Sequence, residues 1–272
     1  MLSIVPASPT PSLHDLGDLR AGNLEVIVAE RGEDIEAAQC LRYRVFFDEM
    51  GAVPRADIAC HKRDADAFDA VCDHLVVVEH RSRGRHRVVG TYRLLRREAM
   101  KSIGKFYSDG EYDLAPIHNY PGEILEVGRS CVDAEYRNRA VMQLLWRGIG
   151  AYVACFNIEL MFGCASFPGT DPLQHAAALS FLHHYHIAPE ALRPSALPGR
   201  FVDMNLMPKE AVDVRKAFAL LPALIKGYLR LGGYVGLGAV VDPEYNTTDV
   251  SIVVKTDLVT DKYIQRYGKS DS

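Results

Sequence analysis

No run of apolar residues in this chain approaches bilayer-spanning length, because charged residues interrupt the longest ones well short of about 20 positions. A membrane-crossing helix is therefore not expected. There is no Cys-x-x-Cys pair, and Cys40, Cys60, Cys72, Cys131, Cys155 and Cys164 show no ligand spacing with histidine. Several of them fall in apolar periodic segments, so buried free thiols of a reducing compartment are expected. The histidines at 183, 184 and 186 lack matching acids or cysteines, and no metal site is expected. Neither sign of charge dominates: 31 Lys and Arg face 35 Asp and Glu, a net charge of −4. Nucleic acid is not an expected partner, and an acidic partner would need a local basic patch. Ser166 does not sit in a Gly-x-Ser-x-Gly elbow, which removes the usual serine nucleophile. The glycine-rich stretch 227–238 follows a helical pattern rather than a strand, which removes a dinucleotide fingerprint.

What is present is ordinary globular composition, 48% hydrophobic and 24% charged over 272 residues, enough for a substantial core. Residues 1–23 carry Pro6, Pro9 and Pro11 among Ser and Thr, lack the apolar centre of a signal peptide, and read as a disordered lead-in. A cytoplasmic location is the expectation.

Periodicity gives the order of elements. Residues 24–29 alternate as a strand, and 33–50 read as an amphipathic helix through Ile35, Ala38, Leu41, Val45 and Phe46, stopped by Gly51. An irregular loop over 52–73 precedes two strands, 74–79 and 87–95, joined by a short basic hairpin. The most informative stretch is 125–172. A short strand there carries Glu126 and Arg129 between apolar residues. A helix follows with Val141, Leu144, Leu145, Ile149, Tyr152, Val153 and Phe156 on one face, and then a strand over 160–165. Strand, helix and strand of these lengths predict a βαβ unit with a right-handed crossover. Beyond it, 172–186 is helical, 209–231 is helical with a break at Pro222, and 234–241 and 250–254 are closing strands.

The blocks EVGRSCVD from Glu126, LLWRGIGAY from Leu144, FGCASFPGTDP from Phe162, LPALIKGYLRLGGYVG from Leu221 and NTTDVSIVV from Asn246 carry a resemblance. Five in this order resemble the ornithine N-acyltransferases that make lyso-ornithine lipid, and more distantly the acyl-homoserine-lactone synthases. The resemblance implies an α/β (α+β) GNAT-like acyltransferase fold, a mixed sheet flanked by helices. It spans 24–265 as one domain, with 172–265 as an extension packed on the core. It also implies the reaction: a 3-hydroxyacyl chain moves from acyl carrier protein to the α-amine of L-ornithine. The donor group is the carrier's phosphopantetheine, and no permanently bound cofactor is implied.

That chemistry needs a base, an oxyanion stabiliser and two binding sites. The resemblance and the need for a partly desolvated carboxylate both point to Glu126 as proton acceptor, with Arg129 beside it. The same pair also fits an ion pair that merely ties two strands. Val127 and Gly128 are placed to stabilise the thioester oxygen through a backbone N–H, with Gly128 allowing close approach; Gly128 equally fits a strand bulge. The start of the βαβ helix reads YRNRAVMQ from Tyr136, without a glycine pair. Arg137 and Arg139 there suit a single pantetheine phosphate better than a nucleotide pyrophosphate, or are simply a solvated helix start. The segments from Leu41 and from Asp66 resemble the amino-terminal signature of the lactone synthases, which implies an amino-acid site of Arg42, Phe46, Asp69, Asp73 and Arg93. Residues 211–231 combine Val214, Phe218, Leu221, Leu224, Ile225 and Leu229 with Arg215, Lys216, Lys226 and Arg230. They read either as a helix lying on an anionic membrane or as two short core helices split at Pro222. Two other functions stay open: a lactone synthase or another amino-acid N-acyltransferase on the same fold, and a non-catalytic acyl- or carrier-binding module.

Overall fold

The computed structural model describes residues 19–82, 86–137 and 139–257, the side chain of Arg139 excepted. Residues 1–18 of the expected lead-in, 83–85 of the hairpin and 258–265 of the expected extension lie outside the described residues.

In chain order the main elements are β1 (Arg20–Ala21), β2 (Leu24–Val28), α1 (Gly32–Tyr43), α2 (Ala56–His61), β3 (Asp73–His80), β4 (His86–Arg96), α3 (Arg97–Ile103), β5 (Tyr112–Asp113), α4 (Ala115–His118), β6 (Glu123–Val132), α5 (Arg139–Cys155), β7 (Ile158–Pro168), α6 (Ala176–Tyr185), β8 (Ser195–Ala196), β9 (Phe201–Val202), α7 (Val214–Leu220), α8 (Ala223–Arg230), β10 (Tyr234–Asp242) and β11 (Thr247–Lys255). The strands form one mixed sheet in the order β1-β2-β3-β4-β6-β7-β11-β10-β8-β5, with β9 on β10. β6 and β7 run parallel across the α5 crossover, and the long pairs around them are antiparallel.

Side-chain alternation explains why helices cover both faces. On β3, Leu75 and Val77 join the cluster of α5 residues Val141, Leu144, Leu145 and Ile149. Val76 and Val78 point to the other face, against Ala38 and Leu41 of α1. Both faces being buried is why β3 reads as a continuous apolar run rather than an alternating one. α5 sits close because it carries Gly148; a methyl there would lie 2.9 Å from Val26 and 3.1 Å from Leu75. Truncating Leu145, which is fully buried, would cost about 2–5 kcal/mol.

The helix expected over 33–50 departs from α geometry. α1 ends at Tyr43, a π-helical stretch continues from Arg44 to Glu49, and Gly51 (φ 76°) follows. Its buried side is also more polar than an amphipathic pattern implies, with Asp34, Gln39 and Arg42 sealed in. The 209–231 segment does break at Pro222, which precedes α8. Leu221, Ile225 and Leu229 are buried in the same cluster as α5, and Phe218 and Leu224 are partly buried against it. The apolar face is thus largely spent on the core, leaving Val214 and Leu220 exposed. The cysteines are all free; Cys131 is buried, but Cys60 is exposed, because it lies on short α2 rather than on a core element. No helix among the described residues is long and apolar enough to cross a membrane.

Candidate active site

The parallel register of β6 and β7 runs only from Glu123↔Ile158 to Glu126↔Phe162, although both strands continue for several residues. Beyond Glu126 the two strands part. Gly163 marks where they begin to do so: a Cβ there would lie 2.1 Å from the Val127 carbonyl oxygen. The opening leads into a cavity of about 560 Å³, lined on one side by Glu126 to Val132 and on the other by Cys164, Ala165 and Ser166. Its size suits a small-molecule site. Gly128 faces open space, and a methyl there would meet no atom within 4 Å.

Glu126 is buried on β6 and lines this cavity. The N–H groups of Tyr107 and Ser108 donate to its Oε2 and Oε1 at 2.8 and 2.7 Å. Burial pushes its carboxyl upward; the Ser108 and Tyr107 hydrogen bonds and Arg93 oppose that. The carboxylate is desolvated but retains lone pairs for a further proton donor.

Arg129, in the left-handed region at φ 51°, stands over the rings of Tyr107 and Tyr245 at 4.7 and 4.3 Å. It belongs to a network of ion pairs, in which Arg42 Nη1 and Arg129 Nε keep no hydrogen-bond partner. Arg42 pairs with Asp64 at 2.8 Å and Asp69 at 2.9 Å; Arg93 pairs with Asp66 at 2.7 Å and Asp69 at 3.2 Å. Arg129 reaches Asp64 at 3.4 Å and Asp66 at 3.6 Å. Burial alone would raise the Asp69 carboxyl, but Arg42 and Arg93 outweigh it and hold it at about 2. Asp64 is lowered in the same way, against burial, by Arg129 and Arg42. Three arginines thus answer three aspartates.

The expected site residues therefore divide. Glu126, Val127, Gly128 and Arg129 line the cavity together with Arg93, Phe46 and Arg137. Arg42 and Asp69 stand behind them, buried and paired with each other. Asp73 is not brought to the cavity: the Tyr152 hydroxyl donates to it, and Arg96 lies 3.6 Å away. Arg137 is half exposed, donating to the Val132 carbonyl at 3.1 Å and pairing with Glu49. The side chain of Arg139 lies outside the described residues.

The far wall was not anticipated. Glu111, Asp242 and Asp249 present carboxylate oxygens within 4.8 Å of one another, and all three line the cavity. Asp242 uses Oδ1 to accept the N–H groups of Glu244 and Tyr245. Burial, then repulsion from Asp249, pushes the Glu111 carboxyl up to about 7 against the pull of Arg200. Burial likewise lifts Asp249 to about 6, against nearby hydroxyls of Ser166 and Thr247. Chemically the trio can take a cation, either an ammonium or a hard metal ion. The Cys164 thiol is held well above its usual range by burial, Glu111 and Asp249, so it is not a thiolate nucleophile. One signal for this wall was readable: Asp249 is a lone carboxylate within an otherwise uncharged strand, TTDVSIVV. Nothing local marks Glu111.

Comparison with known proteins gives four matches. The acetyltransferase (GNAT) domain family matches residues 41–147. An L-ornithine N(alpha)-acyltransferase of Agrobacterium fabrum is 47% identical over 253 residues, covering 92% of this chain and 86% of the relative. One of Brucella abortus is 47% identical over 259 residues, covering 92% and 90%. A solved CoA-dependent acyl-homoserine lactone synthase, with SAM and isopentyl-CoA, matches at 17% identity and TM-score 0.48, covering 87% of this chain and 83% of that one.

Proposed function

The chain belongs to the L-ornithine N(alpha)-acyltransferase family, and from that membership we propose how its cavity joins an acyl thioester to the α-amine of L-ornithine. One observation carries the proposal: β6 and β7 separate immediately after Glu126, so a desolvated carboxylate stands at the mouth of the opening. The acyl-pantetheine arm enters between the strands. Glu126 takes a proton from the α-ammonium, directly or through water. The freed amine attacks the thioester carbonyl, whose oxygen gains negative charge next to the backbone of Val127 and Gly128. Collapse breaks the C–S bond, and the departing sulfur takes up a proton to leave a thiol. Arg129 and Arg93 face the amino-acid carboxylate with planar donors, while Arg42, Asp69 and Phe46 hold them in place. The described residues 24–257 act as one catalytic unit, with 172–257 packed on it.

The acyl donor in this reading is a 3-hydroxyacyl chain on acyl carrier protein. A lone phosphate matches Arg137 and Arg139 at the start of α5, where no glycine turn exists to cradle a pyrophosphate. A carrier donor and a diffusible amino acid make the cytoplasm the place of reaction. Within residues 209–231, the side chains free to meet an anionic membrane are the exposed Val214 and Leu220, beside Arg215 and Lys216. Val214→Ser with Leu220→Ser should weaken flotation with anionic vesicles at low salt, and wild type that never floats would remove this contact.

The test of the reaction is mass spectrometry of the products from purified enzyme, 3-hydroxyacyl carrier protein and ornithine. Wild type should give lyso-ornithine lipid. Glu126→Gln should fold and lose about 100- to 10,000-fold in turnover. A folded Glu126→Gln enzyme near wild-type turnover would end the assignment of the base.

A further inference from the structure

We propose that Glu111, Asp242 and Asp249, with the Thr247 hydroxyl, form the receptor for the side-chain ammonium of the amino-acid acceptor. This rests on the acyltransfer reading above and adds the group that selects a diamino acid over a neutral one.

Three observations carry it. The trio lines the same cavity as Glu126, with oxygens within 4.8 Å of one another. Among the described residues it has little internal counter-charge: Arg200 Nη1 stands 4.0 Å from Glu111 but already donates to the carbonyls of Gly110 at 3.0 Å and Val241 at 3.4 Å, and Arg129, which pulls on Asp249, is paired with Asp64 and Asp66. Finally, Asp249 Oδ1 and Thr247 Oγ1 are both buried on the cavity wall without a hydrogen-bond partner, although Asp249 is 6% exposed and Thr247 4%. Buried polar atoms are nearly always partnered; the Ser166 and Thr247 hydroxyls beside Asp249 answer its carboxylate only in part, and three carboxylates so placed suit a cationic donor.

The chemistry decides which ammonium it is. The α-amine must be neutral to attack, and three carboxylates around it would hold it protonated. The side-chain amine should stay charged, and its three N–H donors find acceptors in the carboxylates and the hydroxyl. Contacts also place the two ends apart. The Ser108 N–H donates to Glu126, the Cys164 sulfur lies 3.5 Å from the Ser108 hydroxyl, and the same sulfur lies 3.4 Å from Glu111. The Ser108 and Cys164 side chains thus stand between the proton acceptor and the ammonium receptor, which line one cavity as separate groups.

The experiment compares ornithine with norvaline, which has the same carbon skeleton without the terminal amine. Wild type should prefer ornithine in kcat/KM. Asp249→Asn and Glu111→Gln should each shrink that preference on the order of 100-fold or more, through the KM for ornithine. Thr247→Val, which keeps the shape, should shrink it about 3- to 10-fold. An unchanged preference would overturn the proposal. So would equal loss on both amines with a changed pH–rate profile, which would make the cluster the base. Loss of activity in EDTA, restored by Mg²⁺ or Ca²⁺, would also overturn it by making the cluster a metal site. Calorimetric binding of both amino acids to the free enzyme reads the same preference without turnover. A wild type that binds ornithine over norvaline but acylates neither would defeat the acyltransfer reading and keep the receptor.

Discussion

Two clusters of buried charge meet at one cavity and behave oppositely. In one, Arg42, Arg93 and Arg129 close on Asp64, Asp66 and Asp69, and Asp64 and Asp69 are held below the usual carboxylate range. On the far wall three carboxylates stand with Arg200 alone at the edge of ion-pair distance, and Glu111 and Asp249 are pushed above that range. Both clusters are desolvated, so burial alone does not separate them. Compensation does. The first network, largely neutralised from within, holds loops and strands in place and fixes Arg93 and Arg129 at the cavity, whereas the unbalanced one is arranged for a cation that arrives from outside.

The hardest blow to the first cluster is Arg42→Ala. It leaves Asp64 and Asp69 buried without their principal partner and should cost about 3–5 kcal/mol in denaturant unfolding. A loss under about 1 kcal/mol would mean that the network is not load-sharing and the comparison fails.

Stability against pH sharpens the contrast next. Asp64 and Asp69 have lowered native values, so their contribution is present above about pH 4 and disappears as the pH falls toward 2. Glu111 and Asp249 have raised native values, so their contribution is present below about pH 4 and is lost as the pH rises through 6 to 7. The groups facing the pair are Asp242, Arg200, Arg129 and Cys164. Burial lowers His74, His183 and His186, which act in the opposite direction over that window. The useful quantity is therefore the difference between Glu111→Gln/Asp249→Asn and wild type. It should grow in favour of the variant by on the order of 2 kcal/mol between pH 5 and pH 8. A flat difference would show that the far wall carries no unbalanced charge.

The smallest effect belongs to charge at the rim. Arg137 is half exposed and paired with Glu49, so it is screened as neither buried cluster is. Arg137→Ala should raise the apparent KM for the acyl carrier about 3- to 10-fold at low salt, leave that for ornithine nearly alone, and fade as salt is added. An effect on both substrates that salt does not touch would place Arg137 with the buried network instead.

Much of the scaffold was readable because it follows local rules. The βαβ unit, the glycine stop after Glu49 and Met50, the break at Pro222 and the two closing strands each depend on periodicity or on a residue that cannot continue a helix. Glu126 and Arg129 stood out as charges within an apolar strand. The pairing among the loop acids was not readable. Asp64, Asp66, Asp69 and Asp73 lie within ten residues of sequence, and only the fold turns the first three toward arginines and the last toward Tyr152. The π-helical turn after Tyr43 leaves no mark in composition.

The sequence by itself determined the family, the order of the main strands and helices, and the strand that bears Glu126, but not β1 within the expected lead-in or α2 within the expected loop over 52–73. These are properties of contiguous segments, where spacing along the chain equals spacing in space. The tertiary structure alone decided that Glu111 from a loop, Asp242 from the end of β10 and Asp249 from β11 share one wall, and that among the described residues only Arg200, at 4.0 Å from Glu111, reaches ion-pair distance. Whether a buried charge is balanced depends on neighbours more than a hundred residues away, brought close by a sheet in which β11 lies beside β7. Coulomb energy is a property of distance in space, and only folding sets that distance.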